Sequence, residues 1–218
     1  MSKLRLTALL CLFALSACGG GSTYAFPEGL PSERVIDAEY RRLHNDLSPL
    51  SVYHYRIIVP VRWKMFDTII DLEPSPGTIG ELGIFREPGE WMNDASAAFT
   101  PEISISVVML EEDDNSTPTE WLEQKIHANT VAIKTLHKRT VSTDTGDAQD
   151  VLIRYSDDKD VLISRVAAFR AGNRIFVITG TAPEHSYKSA APAFAAAIAS
   201  FQLDEPKASN QNPFWVKE

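Results

Sequence analysis

Two cysteines, five histidines and two runs of carboxylates are the side chains of this 218-residue chain whose types could carry chemistry. The histidines are His44, His54, His127, His137 and His185. No pair has the H-E-x-x-H spacing that puts two imidazoles on one helix face beside a general base. His127 and His137 straddle the end of a predicted helix, where they either face each other or lie scattered on the surface. Carboxylates cluster at Glu111-Glu112-Asp113-Asp114 and along Asp144-Thr145-Gly146-Asp147-Ala148-Gln149-Asp150. Calcium needs roughly six to eight converging oxygens. The second run has a glycine and three carboxylates but no distal bidentate glutamate, and Asp and Gly serve a hairpin turn equally well. No G-x-S-x-G elbow, no ordered Ser, His and Asp set, and no glycine-rich phosphate loop before a helix occurs. The residues therefore predict no catalytic, cofactor-binding or metal-ligating site. Two other readings stay open: a small-ligand or divalent-metal binder using the carboxylate turns or a sheet–helix cleft, and a hydrolase whose site follows no known pattern.

The cysteines, Cys11 and Cys18, sit in a distinctive context. Lys3 and Arg5 are followed by an apolar stretch from Leu6 to Leu15, which is too short to span a bilayer, where about 20 residues are needed. Ser16 and Ala17 then offer the small residues that a signal peptidase requires. Leu15-Ser16-Ala17-Cys18 resembles the lipobox of bacterial lipoproteins. The resemblance implies cleavage between Ala17 and Cys18, an S-diacylglycerol and an N-acyl group on Cys18, and a membrane tether outside the cytoplasm. Cys11 would leave with residues 1–17. The mature chain would then keep no thiol beyond the lipidated one, which excludes a CxxC redox site or a cysteine-ligated metal. Gly19, where an Asp would favour the inner membrane, implies the periplasmic face of the outer membrane in a Gram-negative envelope.

The formal net charge is −8. Loss of Lys3 and Arg5 leaves 19 basic against 29 acidic residues, a balance near −10. Such a surface disfavours nucleic acid and anionic headgroups as partners. The grip on the membrane falls to acyl chains, at about 0.8 kcal/mol per buried methylene.

Gly19-Gly20-Gly21-Ser22 with Pro27, Gly29 and Pro31 reads as a flexible lipid tether over residues 18–31. A single domain is expected over 32–203. Ser32 opens a helix in which Val35, Ile36, Tyr40, Leu43 and Leu47 fall at helical spacing, and Pro49 ends it. Strands are expected at Tyr53–Val61, Gly83–Phe85 and Ile103–Leu110, with a loop or hairpin crossing over 67–80. Thr117-Pro118-Thr119-Glu120 is a capping box with proline at the first helical position. Its helix is expected to reach Ile133, burying Leu122, Ile126, Asn129 and Ile133 with Trp121 on the flank. An antiparallel meander follows: Val151–Tyr155, Val161–Arg170, a turn at Ala171-Gly172-Asn173, and Arg174–Thr181. Pro183 opens a last helix with a stripe of Tyr187, Ala191, Phe194, Ile198 and Phe201, which Pro192 should kink or divide. Trp63, Trp91, Trp121 and Trp215 fall near element ends, as core lids or interface anchors. Residues 204–218 form a mobile tail ending in Pro213-Phe214-Trp215-Val216, whose aromatic pair either folds back or contacts a partner.

Four stretches together resemble the Mog1/PsbP-like fold, which includes small bacterial proteins of the DcrB type. They are Tyr55-Arg56-Ile57-Ile58-Val59-Pro60-Val61-Arg62-Trp63, residues 101–112, Thr119-Glu120-Trp121-Leu122, and Arg174–Ala182 with the helix ending at Phe201. The resemblance covers about residues 50–203. It implies an α+β domain: an antiparallel β-sheet meander with helices packed on its faces. It also implies non-enzymatic binding, assembly or chaperone work. The combined expectation is a non-catalytic, lipid-anchored envelope protein that binds, stabilises or helps assemble another envelope protein, with Phe214 and Trp215 as candidate contacts.

Overall fold

The computed structural model describes residues 24–44, 54–66, 79–90, 98–128, 131–143, 146–156 and 160–203. Ala17, Cys18, Trp91, Phe214 and Trp215 lie outside the described residues.

The centre is an antiparallel sheet of seven strands. These are β3 (Lys64–Phe66), β4 (Ile79–Arg86), β5 (Glu102–Met109), β6 (Lys134–Thr143), β7 (Gly146–Ser156), β8 (Val161–Ala171) and β9 (Arg174–Pro183), in the order β3-β4-β5-β9-β8-β7-β6. Alternation divides its side chains between two layers. Ile103, Ile105, Leu152, Ile163, Ala167, Phe176 and Ile178 face one core. Val108, Val151, Ile153, Val166, Ala168, Ile175 and Val177 face the other.

Helix α2 (Pro118–Ala128) covers the second layer with Trp121 and Leu122. Its capping box forms as the sequence predicts: the Thr117 amide donates to the Glu120 carboxylate at 2.8 Å, and the Glu120 amide donates to the Thr117 hydroxyl at 3.2 Å. The helix is shorter than expected. Ile133 lies past its end and packs on this layer just before β6 begins. Trp121 is buried rather than flanking, because the first turn points its indole at the sheet.

The first layer is covered by helix α3 (Tyr187–Ser200) and by a small antiparallel sheet of β1 (Tyr40–His44), β2 (Tyr55–Pro60) and β10 (Gln202–Leu203), in the order β1-β2-β10. The predicted helix at 32–48 is thus corrected. Helix α1 (Glu33–Glu39) stops at Tyr40, and the next five residues become a strand, Tyr40 opposite Pro60 through His44 opposite Arg56. The ladder with β2 satisfies backbone groups there and overrides the helical spacing. Helix α3 runs undivided through Pro192, whose ring is exposed and whose cost is one missing N–H on the solvent side. Pro183 closes β9 and does not open the helix.

Two glycines answer to specific packing. Gly172 takes φ 62° in the β8–β9 turn. Gly180 lies beneath the Phe194 ring, where a Cβ would stand 2.2 Å from Cγ. The alanines of α3 and the bare backbone at Gly180 let helix and sheet approach closely.

Candidate functional site

The sequence places Asp150 in a carboxylate turn. Instead, Gly146–Asp150 is the start of β7, and Asp150 has no exposure. A buried carboxylate must be paired, and β6 and β8 supply the partners. Arg139 stands directly opposite Asp150 in the β6–β7 ladder and donates Nε and Nη2 to Oδ2 at 2.9 and 2.8 Å. Arg165, itself 1% exposed, donates Nε to Oδ1 at 3.1 Å and Nη2 to Oδ2 at 2.8 Å. One carboxylate thus orients two guanidinium planes. The neighbouring Gln149 points to the opposite layer, taking the Thr119 hydroxyl at 2.7 Å and donating to the Arg139 carbonyl at 2.7 Å.

These arginines hold a piece of chain. Residues 24–31, expected to belong to the flexible tether, lie against the domain in their described part. The Phe26 ring sits 4.4 Å from the guanidinium carbon of Arg139 and 4.5 Å from that of Arg165, and stacks on His137 at 5.3 Å with planes 7° apart. Arg165 donates Nη1 to the Pro27 carbonyl at 2.7 Å. Tyr187 donates its hydroxyl to the Ala25 carbonyl at 2.8 Å. Glu28 pairs with Arg139, and the Tyr24 hydroxyl donates to Glu184, which also receives Arg154 Nε at 3.0 Å. Burial pushes the Tyr187 phenol up to about 12, so it stays a donor. The Arg154 and Tyr24 hydrogen bonds hold Glu184 below the usual carboxylate range. The contacts to the buried Arg165 and Tyr187 are each of the order of 1 kcal/mol, while the exposed ion pairs add little. Together they overcome the freedom that the proline and glycine content predicted. Residues 25–28 form no strand, so side chains and not a ladder hold this backbone.

A cavity of about 320 Å³ continues from Glu28 and Gly29 over Arg139, Asp150 and Arg165 to Ile198 and Phe201. A second hollow, about 470 Å³, lies on the opposite layer between α2 and β6, lined by Leu122, Ile126, His127, Ile133 and Lys138. His127 therefore belongs to one layer and His137 to the other, which rules out their facing each other. His44 and His185 are exposed on separate elements.

Among the described residues the carboxylate runs do not converge. Asp114 accepts the Ser116 amide at 2.8 Å, and Arg170 donates to the carbonyls of Asp114 and Ser116, so this run is a stitched turn. Among the described residues no group of three His, Cys, Asp or Glu is placed to hold a metal ion. Trp63 and Trp121 are buried, with exposures of 6% and 7%. No helix among the described residues is long and apolar enough to cross a membrane.

The sequence reading missed the whole cluster. Its trace was the presence of Tyr24 and Phe26 inside a glycine–proline stretch, together with an Asp and an Arg inside otherwise apolar strands.

No family model and no curated protein matches the sequence. Solved structures do match. The solution structure of cyanobacterial PsbP (CyanoP) from Synechocystis sp. PCC 6803 is 12% identical with a TM-score of 0.52, covering 77% of this chain and 94% of that one. A Pseudomonas aeruginosa protein of unknown function is 12% identical with a TM-score of 0.49, over 77% of this chain and 99% of that one. LpqN of Mycobacterium tuberculosis, involved in cell envelope biogenesis, is 12% identical with a TM-score of 0.47, over 82% and 99%. With antiparallel sheets and three packed helices among the described residues, the chain has the α+β fold of the PsbP-like proteins.

Proposed function

We propose that this protein is a non-catalytic, lipid-anchored envelope protein that binds or stabilises another polypeptide. The observation that supports this is the docked segment. Arg165 and Tyr187 grip the main-chain carbonyls of Pro27 and Ala25, while an aromatic ring and a carboxylate settle on paired guanidinium groups. The charged side chains of this site are spent on holding chain, which is binding chemistry. The lipobox-like Leu15-Ser16-Ala17-Cys18 supports the anchor, on the periplasmic face, with Gly19 favouring the outer membrane.

Two measurements test the reading. Mass spectrometry of the mature N-terminus should find an acylated Cys18, and Cys18→Ala should move the protein from membranes to the soluble fraction. A variant that stayed membrane-bound would end the tether model. Crosslinking in intact membranes, followed by pull-down, should recover a specific envelope protein. Deleting 204–218 then asks whether Phe214 and Trp215 contribute to that contact. Recovery of no specific protein would remove the binding role.

A further inference from the structure

The geometry points to residues 24–28 being a displaceable strap, and to the groove beneath them as a receptor for an extended segment of a partner protein with an aromatic residue two positions before a carboxylate. This deepens the binding role proposed above and rests on it. The strap itself is the template for the ligand. Two main-chain carbonyls two residues apart, at Ala25 and Pro27, receive hydrogen bonds from Tyr187 and Arg165. That spacing reads an extended polypeptide and would not recognise a compact small molecule. Selectivity comes from the side chains. The Phe26 ring lies over two guanidinium groups, and Glu28 lies on Arg139.

Charge explains why the groove would not stay empty. With the strap docked, Arg139 and Arg165 are balanced by Asp150 and Glu28. With the strap lifted, Asp150 alone faces two arginines, and the uncovered site carries a net positive charge in a chain of net charge −8. An incoming carboxylate restores the balance, and an incoming aromatic ring restores the cover over the guanidinium planes. Glu28 remains 78% exposed at the side chain, so the outer end of the strap is where displacement begins.

The test uses the full chain in detergent and a fluorescent peptide with the sequence of residues 24–30. Anisotropy should show the peptide binding at least tenfold more tightly to the Phe26→Ala/Glu28→Ala variant than to the wild-type chain, whose own strap competes. A peptide with alanine in place of the phenylalanine should lose at least tenfold. Equal affinity for both chains, or indifference to the phenylalanine, overturns the proposal. Magnetic resonance on the isotope-labelled wild-type chain needs no variant: saturating unlabelled peptide should abolish the contact between the labelled Phe26 and His137 rings, and an unchanged contact overturns the proposal. A wild-type chain that is a dimer with exchanged straps would also overturn it, since the occupant would then be a second copy. Crosslinked partner recovery is independent of these readouts, so a failed peptide assay beside an intact partner sinks the strap alone.

Discussion

Gly180 and Phe194 are in contact so close that no other residue fits at position 180: an added Cβ would lie 2.2 Å from Cγ and 2.3 Å from Cδ1 of the ring. Gly180 sits opposite Arg165 in the β8–β9 ladder, so the contact also fixes how near α3 stands to the charged cluster. Gly180→Ala must push the helix outward or drive Phe194 off its rotamer. Such overpacking costs about 1–3 kcal/mol and occasionally more. Urea denaturation should place this variant at or beyond the upper end, and Gly180→Ala/Phe194→Leu should recover part of the loss.

Asp150 is the hub of a buried ionic network, and removing it strands Arg165. Breaking a buried pair from one side costs about 3–5 kcal/mol. Asp150→Ala should therefore be severely destabilised in chemical denaturation. Asp150→Leu/Arg165→Met should lose less than the single variant, because the deeply buried guanidinium leaves with its partner. A double variant as damaged as Asp150→Ala would show that the network is worth more than its desolvation cost.

The Tyr24–Glu184–Arg154 contact makes strap docking sensitive to pH. Glu184 has a folded pKa below its ordinary value, so its contribution is full above the unfolded value of about 4.3 and is lost as pH falls through the folded pKa. Tyr24 is raised, chiefly by its hydrogen bond to Glu184, so its contribution fades only as pH climbs past about 10. Thermal melting of wild type against Glu184→Gln should show a gap at neutral pH that closes on acidification. A gap constant down to strong acid would contradict this pairing.

Pro192 occupies an exposed interior position of α3, where an N–H could otherwise donate to the Lys188 carbonyl. Pro192→Ala should raise stability by roughly 1–2 kcal/mol. That is less than the ~3 kcal/mol helix penalty of proline, because proline also stiffens the unfolded chain. The midpoint in urea reports it directly.

Where local rules act alone, the sequence was readable. The capping box at Thr117 and Glu120, the stripe on α3 and the β8–β9 hairpin all depend on neighbours within a few residues. Strand β6 was not legible: Lys134-Thr135-Leu136-His137-Lys138-Arg139 carries few apolar residues because an edge strand needs few. Strand β1 was hidden because Tyr40 and Leu43 suit a helical stripe as well as a half-buried strand, and only the nonlocal ladder with β2 decides between them. The charged cluster failed for a third reason. Asp150, Arg139, Arg165 and Phe26 converge from four separate stretches, and each alone looks like a solvated turn, an exposed strand charge or a linker residue. Proline and glycine at 27, 29 and 31 set the freedom of that linker, whereas its fate was set by the two guanidinium groups waiting beneath Phe26.

Strand β6 has a consequence for self-association. It forms one border of the seven-stranded sheet, and among the described residues no strand pairs with its outer side. A ten-residue border strand, whose outward-facing amides and carbonyls have no ladder partner among the described residues, is long enough to recruit a strand from another molecule and to propagate. Lys134 is exposed near one end of that border, Lys138 is paired with Glu123 of α2, and the irregularity between Thr135 and His137 breaks its flatness. Two copies approaching border to border would meet across a bent template. The break in flatness thus makes this border a poor template for polymerising through the protein's own sheet.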